Sequence, residues 1–168
     1  MIASTENFVG DNDFDLSWSD RVPVSVFEKQ KQRCNYSPDD VIFARKGRLG
    51  FARPYGNEDK VFSHTVVVLK PRNGRVYPRF ILWLVRFRQF FDEIDKRMNS
   101  NSGVPTLGVA FISAVPVLVP KPEEQTRIIA LLDNAEVATQ KEVFQLQKLQ
   151  KIKTGLMHDL LTGTVRVN

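Results

Sequence analysis

Apolar positions in this chain follow two rhythms, short blocks first and a long three-four spacing last. Val41-Ile42-Phe43-Ala44 is a continuous apolar block behind the turn signal Ser37-Pro38-Asp39-Asp40, which predicts a buried strand. Phe51-Ala52-Arg53 reads as a second strand, and Val61 to Leu69, centred on Val66-Val67-Val68-Leu69, as the best strand in the chain. Val22 to Phe27 alternates weakly and fits a short strand or a turn. Residues 10–20, rich in Asp and Asn, read as a loop. Phe80, Leu84, Phe87, Phe91, Ile94 and Met98 recur at helical spacing and predict a core-facing helix from about Pro78 to Met98. Val115 to Val119 reads as a last strand, stopped by Pro120.

From Lys121 the rhythm changes for good. Pro122 suits a first helical position, where its missing N–H costs nothing, and Glu123 and Glu124 favour the positive end of a helix. Ile128, Leu132, Ala135, Leu146, Leu149, Leu156 and Leu160 fit alternating steps of three and four, with Thr139, Glu142 and Lys153 as polar layers on the same stripe. A helix of about 40 residues is about 60 Å long at 1.5 Å per residue. So long a rod, with heptad spacing, points to a coiled coil rather than to an amphipathic helix closing its own domain. The partner helix would come from a second copy, a matching half or another subunit. Gly155 falls inside the helix, and Thr162-Gly163 marks its end. The expected architecture is α+β: residues 1–121 a small mixed-strand domain with one packed helix, 122–161 the long helix, and 162–168 a tail.

Composition narrows the class. A chain of 168 residues with 42% hydrophobic and 26% charged residues holds one ordinary core and an appendage. The longest apolar run, Phe80 to Val85, is too short to span a bilayer, and the N-terminus lacks the pattern of a secretion signal, so a cytoplasmic protein without membrane partners is expected. The single cysteine, Cys34, excludes an internal disulfide and a multi-cysteine metal site; no metal is expected.

Charge adds the candidate chemistry. The net charge of +5 is concentrated between residues 41 and 91, which carry eleven Lys or Arg against Glu58 and Asp59. Arginine dominates there, as suits contacts to phosphates and base edges. Arg45-Lys46-Gly47-Arg48-Leu49-Gly50 sets three cations and two glycines at a strand end; glycines let a backbone approach phosphate closely. The plainer alternative is an ion pair of Arg45 with Asp39 or Asp40, with the glycines only turning the chain. Arg53, Tyr55 and Asn57 on the next loop, and Asn99, Asn101 and Ser102 in a polar loop, are further candidates for contacting nucleic acid. His64, within the expected strand Val61 to Leu69, reads as a structural residue.

Two stretches carry a family resemblance. Pro122-Glu123-Glu124-Gln125 followed by Ile128, and Gly155-Leu156 leading to Leu160-Leu161-Thr162-Gly163, resemble the two ends of the conserved helix in specificity subunits of type I restriction-modification systems. Asp39-Asp40-Val41-Ile42-Phe43-Ala44-Arg45-Lys46-Gly47 is similar to a strand and turn of the same family, with Asp39 where the family has Gly. The resemblance implies a target recognition domain that reads one half of a bipartite double-stranded DNA sequence. It implies a spacer helix that pairs antiparallel with a second such helix. It also implies docking to methyltransferase subunits and a translocating restriction subunit, in a subunit that catalyses nothing itself. S-adenosylmethionine is expected on the methyltransferase partner only, and no cofactor here. A full family member has two recognition domains and two helices, and carries a further segment ahead of the position of Ile2. This chain is therefore expected to be a half-subunit that dimerises or pairs with another half, or a remnant of a longer one.

Two other readings remain. One is a coiled-coil scaffold that binds DNA without sequence preference. The other is a metal-dependent nuclease, since Pro38-Asp39 followed by Glu58-Asp59-Lys60 is similar to the carboxylate-and-lysine set that holds Mg²⁺ in such enzymes. With only His64 and His158 there is no convincing Ser/His/Asp set, and no phosphate-binding loop is present.

Overall fold

The structure is a computed structural model that describes residues 1–10, 13–47, 49–56, 59–71, 74–95 and 106–167. Its element order is β1 (Ile2–Ala3), β2 (Phe8–Val9), β3 (Asp13–Phe14), α1 (Val24–Cys34), β4 (Val41–Ala44), β5 (Ala52–Pro54), β6 (Val61–Phe62), β7 (Val66–Leu69), α2 (Pro78–Arg86), α3 (Arg88–Asp95), α4 (Val109–Ala114) and α5 (Pro122–Leu161). The architecture is mixed α+β, small sheets with a long C-terminal helix, and the chain divides into two compact units, Met1–Thr126 and Arg127–Asn168.

The first unit is built around β4. It lies between β5 and β7 in an antiparallel sheet, and all four of its residues are buried, which is why its sequence is apolar without alternation. One sheet face carries Val41, Phe43, Val67 and Leu69 onto Leu82, Val85, Phe90, Ile94 and Ile112 of the helices. The other carries Ile42, Ala44, Val66 and Val68 onto a largely aromatic layer of Phe8, Phe14, Tyr36, Phe51, Tyr55 and Phe62. The Arg45 N–H donates to Thr65 O at 2.9 Å, which continues the β4–β7 ladder. By that alternation Val67 and Leu69 bond to β4 while Val68 turns its own N–H and C=O to the outer edge of the sheet. An apolar cleft of about 570 Å³ lies beside that edge, lined by residues of β7, α2, α4 and the stretch Val115–Val119.

Several expected elements differ. Val61 to Leu69 is two strands. Ser63-His64-Thr65 turns between them, with the Ser63 Oγ accepting the Thr65 N–H at 3.2 Å. β6 pairs parallel with β1 and β7 antiparallel with β4, and His64 is exposed in the turn. The helix expected to run from Pro78 to Met98 breaks at Phe87, where ψ is 132°. In one straight helix the Leu82–Val85 pair and the Phe90–Ile94 pair would point about 130° apart, at about 100° per residue. The break brings both pairs into one core and leaves Phe87 53% exposed, so the expected stripe through Phe87 is corrected; Met98 lies outside the described residues.

Val22 to Phe27 opens a helix, not a strand, because the Glu, Lys and Gln that follow are better helix formers than Val24 and Val26 are strand formers here. Gln30 secures it: its Nε2 donates to Phe62 O and its Oε1 accepts the Phe62 N–H, both at 2.8 Å. Residues 10–20 include a short strand, β3, paired with β2. Val115 to Val119 forms no strand; Pro116 within it and Pro120 after it have no N–H, and α4 precedes it where no helix was expected.

α5 begins and ends where its sequence indicates. Gln125, in its first turn, is fully buried. Its Oε1 accepts the Tyr77 N–H at 3.0 Å, and its Nε2 donates to Arg75 O and to Pro120 O at 2.8 Å each. One amide thus ties the start of α5 to the segment that launches α2 and to the residue leading into α5. Gly163, at φ +73°, closes the helix with its N–H on Leu160 O at 3.3 Å.

Candidate nucleic-acid interface

The loop after β4 is held from both sides. Gly50 N–H donates to Ala44 O at 3.2 Å and Leu49 N–H to Gly47 O at 2.9 Å, which closes a tight turn. Gly47 and Gly50 have φ of +75° and +90°, where side chains are strained. At Gly50 space is decisive as well: a Cβ would lie 1.9 Å from the Cζ of Phe91. Phe91 of α3 therefore packs closely against the loop backbone and fixes its path.

Within the loop, Arg45 is committed to the fold. Its Nε donates to His64 O at 2.9 Å and its Nη1 to Leu107 O at 3.2 Å, while its own carbonyl accepts the Leu107 N–H at 2.7 Å. The ion pair envisaged for Arg45 belongs to another cation, since Lys70 Nζ lies 2.8 Å from the Asp40 carboxylate. The other use of that carboxylate is to accept the Ser37 N–H at 2.7 Å. Lys46 is half-buried, and its backbone bridges to Thr106. Arg48 lies outside the described residues, as do Asn57, Asn99, Asn101 and Ser102.

Arg53 and Tyr55 sit below the surface. Along β5, Ala52 faces the helices and Arg53 the aromatic layer, where its guanidinium lies 4.7 Å from the Phe14 ring centroid; the residue is 8% exposed. Tyr55 is 4% exposed and stacks on Tyr36 at 4.7 Å. Burial, with Cys34 beside it, pushes the Tyr36 phenol well above its ordinary range, so it stays a neutral donor to Gln30 Oε1 at 3.0 Å. Both Arg53 and Tyr55 thus serve packing rather than the surface expected for them.

What the loop does meet is a basic and aromatic ridge on α2. Arg79, Trp83 and Arg86 follow at steps of four and three, hence on one face. The guanidinium carbons of Arg79 and Arg86 lie 5.8 and 5.4 Å from the Trp83 ring centroid. Arg86 also donates Nε and Nη2 to Ala52 O, at 3.1 and 2.9 Å. Leu49, Gly50, Phe51, Ala52, Trp83, Arg86 and Phe91 line a cleft of about 460 Å³. The expected site residues omit Trp83 and both arginines, because the aromatic stripe of this helix was read only for its core. The signal was the Arg-x-x-x-Trp-x-x-Arg spacing itself.

On α5, Leu132, Ala135, Leu146, Leu149, Leu156 and Leu160 are exposed and Ile128 is half-buried. Leu149, Ile152, Lys153, Leu156, Met157, Leu160 and Leu161 line one shallow groove of about 380 Å³ on the helix surface. Ile152 and Met157 escaped a strict heptad template, although Ile152 stands three residues after Leu149 and four before Leu156. Thr139, an expected polar layer, bonds its hydroxyl to Ala135 O at 2.9 Å on its own helix, so it asks no polar partner across a seam.

Among the described residues no group of three or more His, Cys, Asp or Glu could hold a metal ion, and no helix is long and apolar enough to cross a membrane. Comparison with protein-family models and with curated proteins gave no match to this chain.

Proposed function

We propose that this chain is a DNA-recognition subunit, or half-subunit, of a type I restriction-modification methyltransferase. The first unit reads one half of a bipartite target through the loop after β4 and the adjoining α2 ridge. The long helix pairs antiparallel with that of a second copy or a paralogous half and helps dock methyltransferase subunits, which supply S-adenosylmethionine chemistry. The observation that carries the reading is α5: a 40-residue helix whose one buried residue is the Gln125 anchor, and whose leucines are exposed in a repeating register. The cluster of cations around β4, β5 and α2 supports the DNA half of the reading.

Light scattering across a concentration series tests the helix. A mass near twice 19.2 kDa is expected, returning to a monomer when Leu146 and Leu149 are both replaced by Lys. An intact dimer in that variant would move the contact elsewhere. Selection of bound duplexes from a random pool at fixed salt tests the reading of DNA. Enrichment of one two-fold symmetric, bipartite sequence is expected, whereas equal retention of all duplexes would leave a scaffold without preference.

A further inference from the structure

We propose that the cleft between the loop after β4 and helix α2 receives a nucleobase that is not stacked in a duplex. The inference rests on the DNA-binding reading above and adds a second kind of contact to it. Inside a double helix the ring faces of a base are covered by its neighbours, and only its edges are open to a protein. A wall of flat side chains is therefore of use only to a base that lies outside the stack, in a single strand or turned out of a duplex.

The cleft has such walls. Trp83 supplies an indole and Phe91 a phenyl ring. Arg86 is oriented in advance, since two hydrogen bonds to Ala52 O fix its guanidinium near the indole, and a fixed side chain loses little freedom when a ligand arrives. Phe91 is fixed as well, by the missing Cβ of Gly50. The cleft, at about 460 Å³, has room for one heterocycle and its sugar but not for a paired duplex, and its seven lining residues include a cation and no carboxylate. Guanidinium planes and aromatic rings are the surfaces on which unpaired bases stack, whatever their sequence.

The test uses the full chain with Trp18→Phe, which leaves Trp83 as its only tryptophan. The probes are a mixed-sequence single-stranded oligonucleotide of about one OB-fold site length, on the order of 12 nucleotides, and the same sequence as a duplex. Saturable quenching of Trp83 fluorescence by the single strand is expected. In the chain that keeps Trp18, Trp83→Ala should weaken single-strand binding about ten- to 100-fold by fluorescence anisotropy of a labelled strand, and Trp83→Phe only a few-fold. Because quenching is read on the native side chain, the outcome does not depend on the Ala variant folding. Absence of quenching, or single-strand affinity unchanged in a folded Trp83→Ala variant, overturns the proposal. Selective duplex binding without Trp83 quenching by the single strand sinks the cleft and keeps the duplex reading. Quenching by the single strand with no selective duplex binding upholds the cleft and sinks that reading.

Discussion

The two units of this chain use the same kinds of apolar residue to opposite ends. In Met1–Thr126 they meet one another: Phe43, Leu82, Val85 and Ile94 are each 2% exposed or less. In Arg127–Asn168 they stay on the surface, with Leu146 at 55% and Leu149 at 62%. The sheet domain therefore carries its own stability, as burial of apolar surface within one chain does. An isolated amphipathic helix draws most of its stability from what it packs on, so that of α5 should depend on concentration. One chain holds a domain that buries its own apolar side chains and a helix that leaves them exposed.

The sharpest way to break this contrast is Phe43→Ala. Emptying the centre of the sheet should cost the domain about 3–5 kcal/mol. Urea unfolding followed by Trp83 fluorescence (with Trp18→Phe) should show that loss, while the helical circular dichroism of α5, if it pairs as proposed, persists to higher urea. Coincident transitions would mean that the two regions melt as one. Next comes the junction. Gln125→Leu strands the Tyr77 N–H and the carbonyls of Arg75 and Pro120, and should cost about 1–3 kcal/mol in the same experiment. A neutral result would show that these groups find other partners. The smallest effect runs the other way. Gly155 has nothing within 4 Å of where a Cβ would stand, so Gly155→Ala should stabilise α5 by about 1 kcal/mol, seen as a higher helix melting temperature. A lower one would reveal a close approach by a partner at that position.

The strand β4 and the bounds of α5 were legible because each rests on a long or unambiguous local pattern: a four-residue apolar block behind a turn, and forty residues rich in helix formers whose one proline stands at the first position. The break at Phe87 was not, since periodicity alone continues through a residue that only the needs of a shared core turn outward. Nor was the separation of β6 from β7, which depends on pairing with β1 and β4, far away in sequence. In the candidate interface, the sequence shows that Arg45, Arg53 and Tyr55 are suited to binding, but not that backbone carbonyls and aromatic rings already engage them. Trp83 and Arg86 were hidden for the converse reason: a stripe rich in aromatic residues has two sides, and only one of them faces the core.

The outer edge of β7 has a practical corollary. Val66-Val67-Val68-Leu69 contains no charge and no proline, and Val68 directs its backbone away from the sheet. Natural proteins blunt such an edge with lysine, proline or a covering loop, because an uncharged edge templates strand addition between molecules. Here Lys70-Pro71 follows the strand directly and the stretch Val115–Val119 lines the cleft beside it, so solubility at high concentration should fall when both Lys70 and Pro71 are replaced by Val. The exposed leucines of α5 are then the larger apolar surface to be reckoned with in concentrated solution.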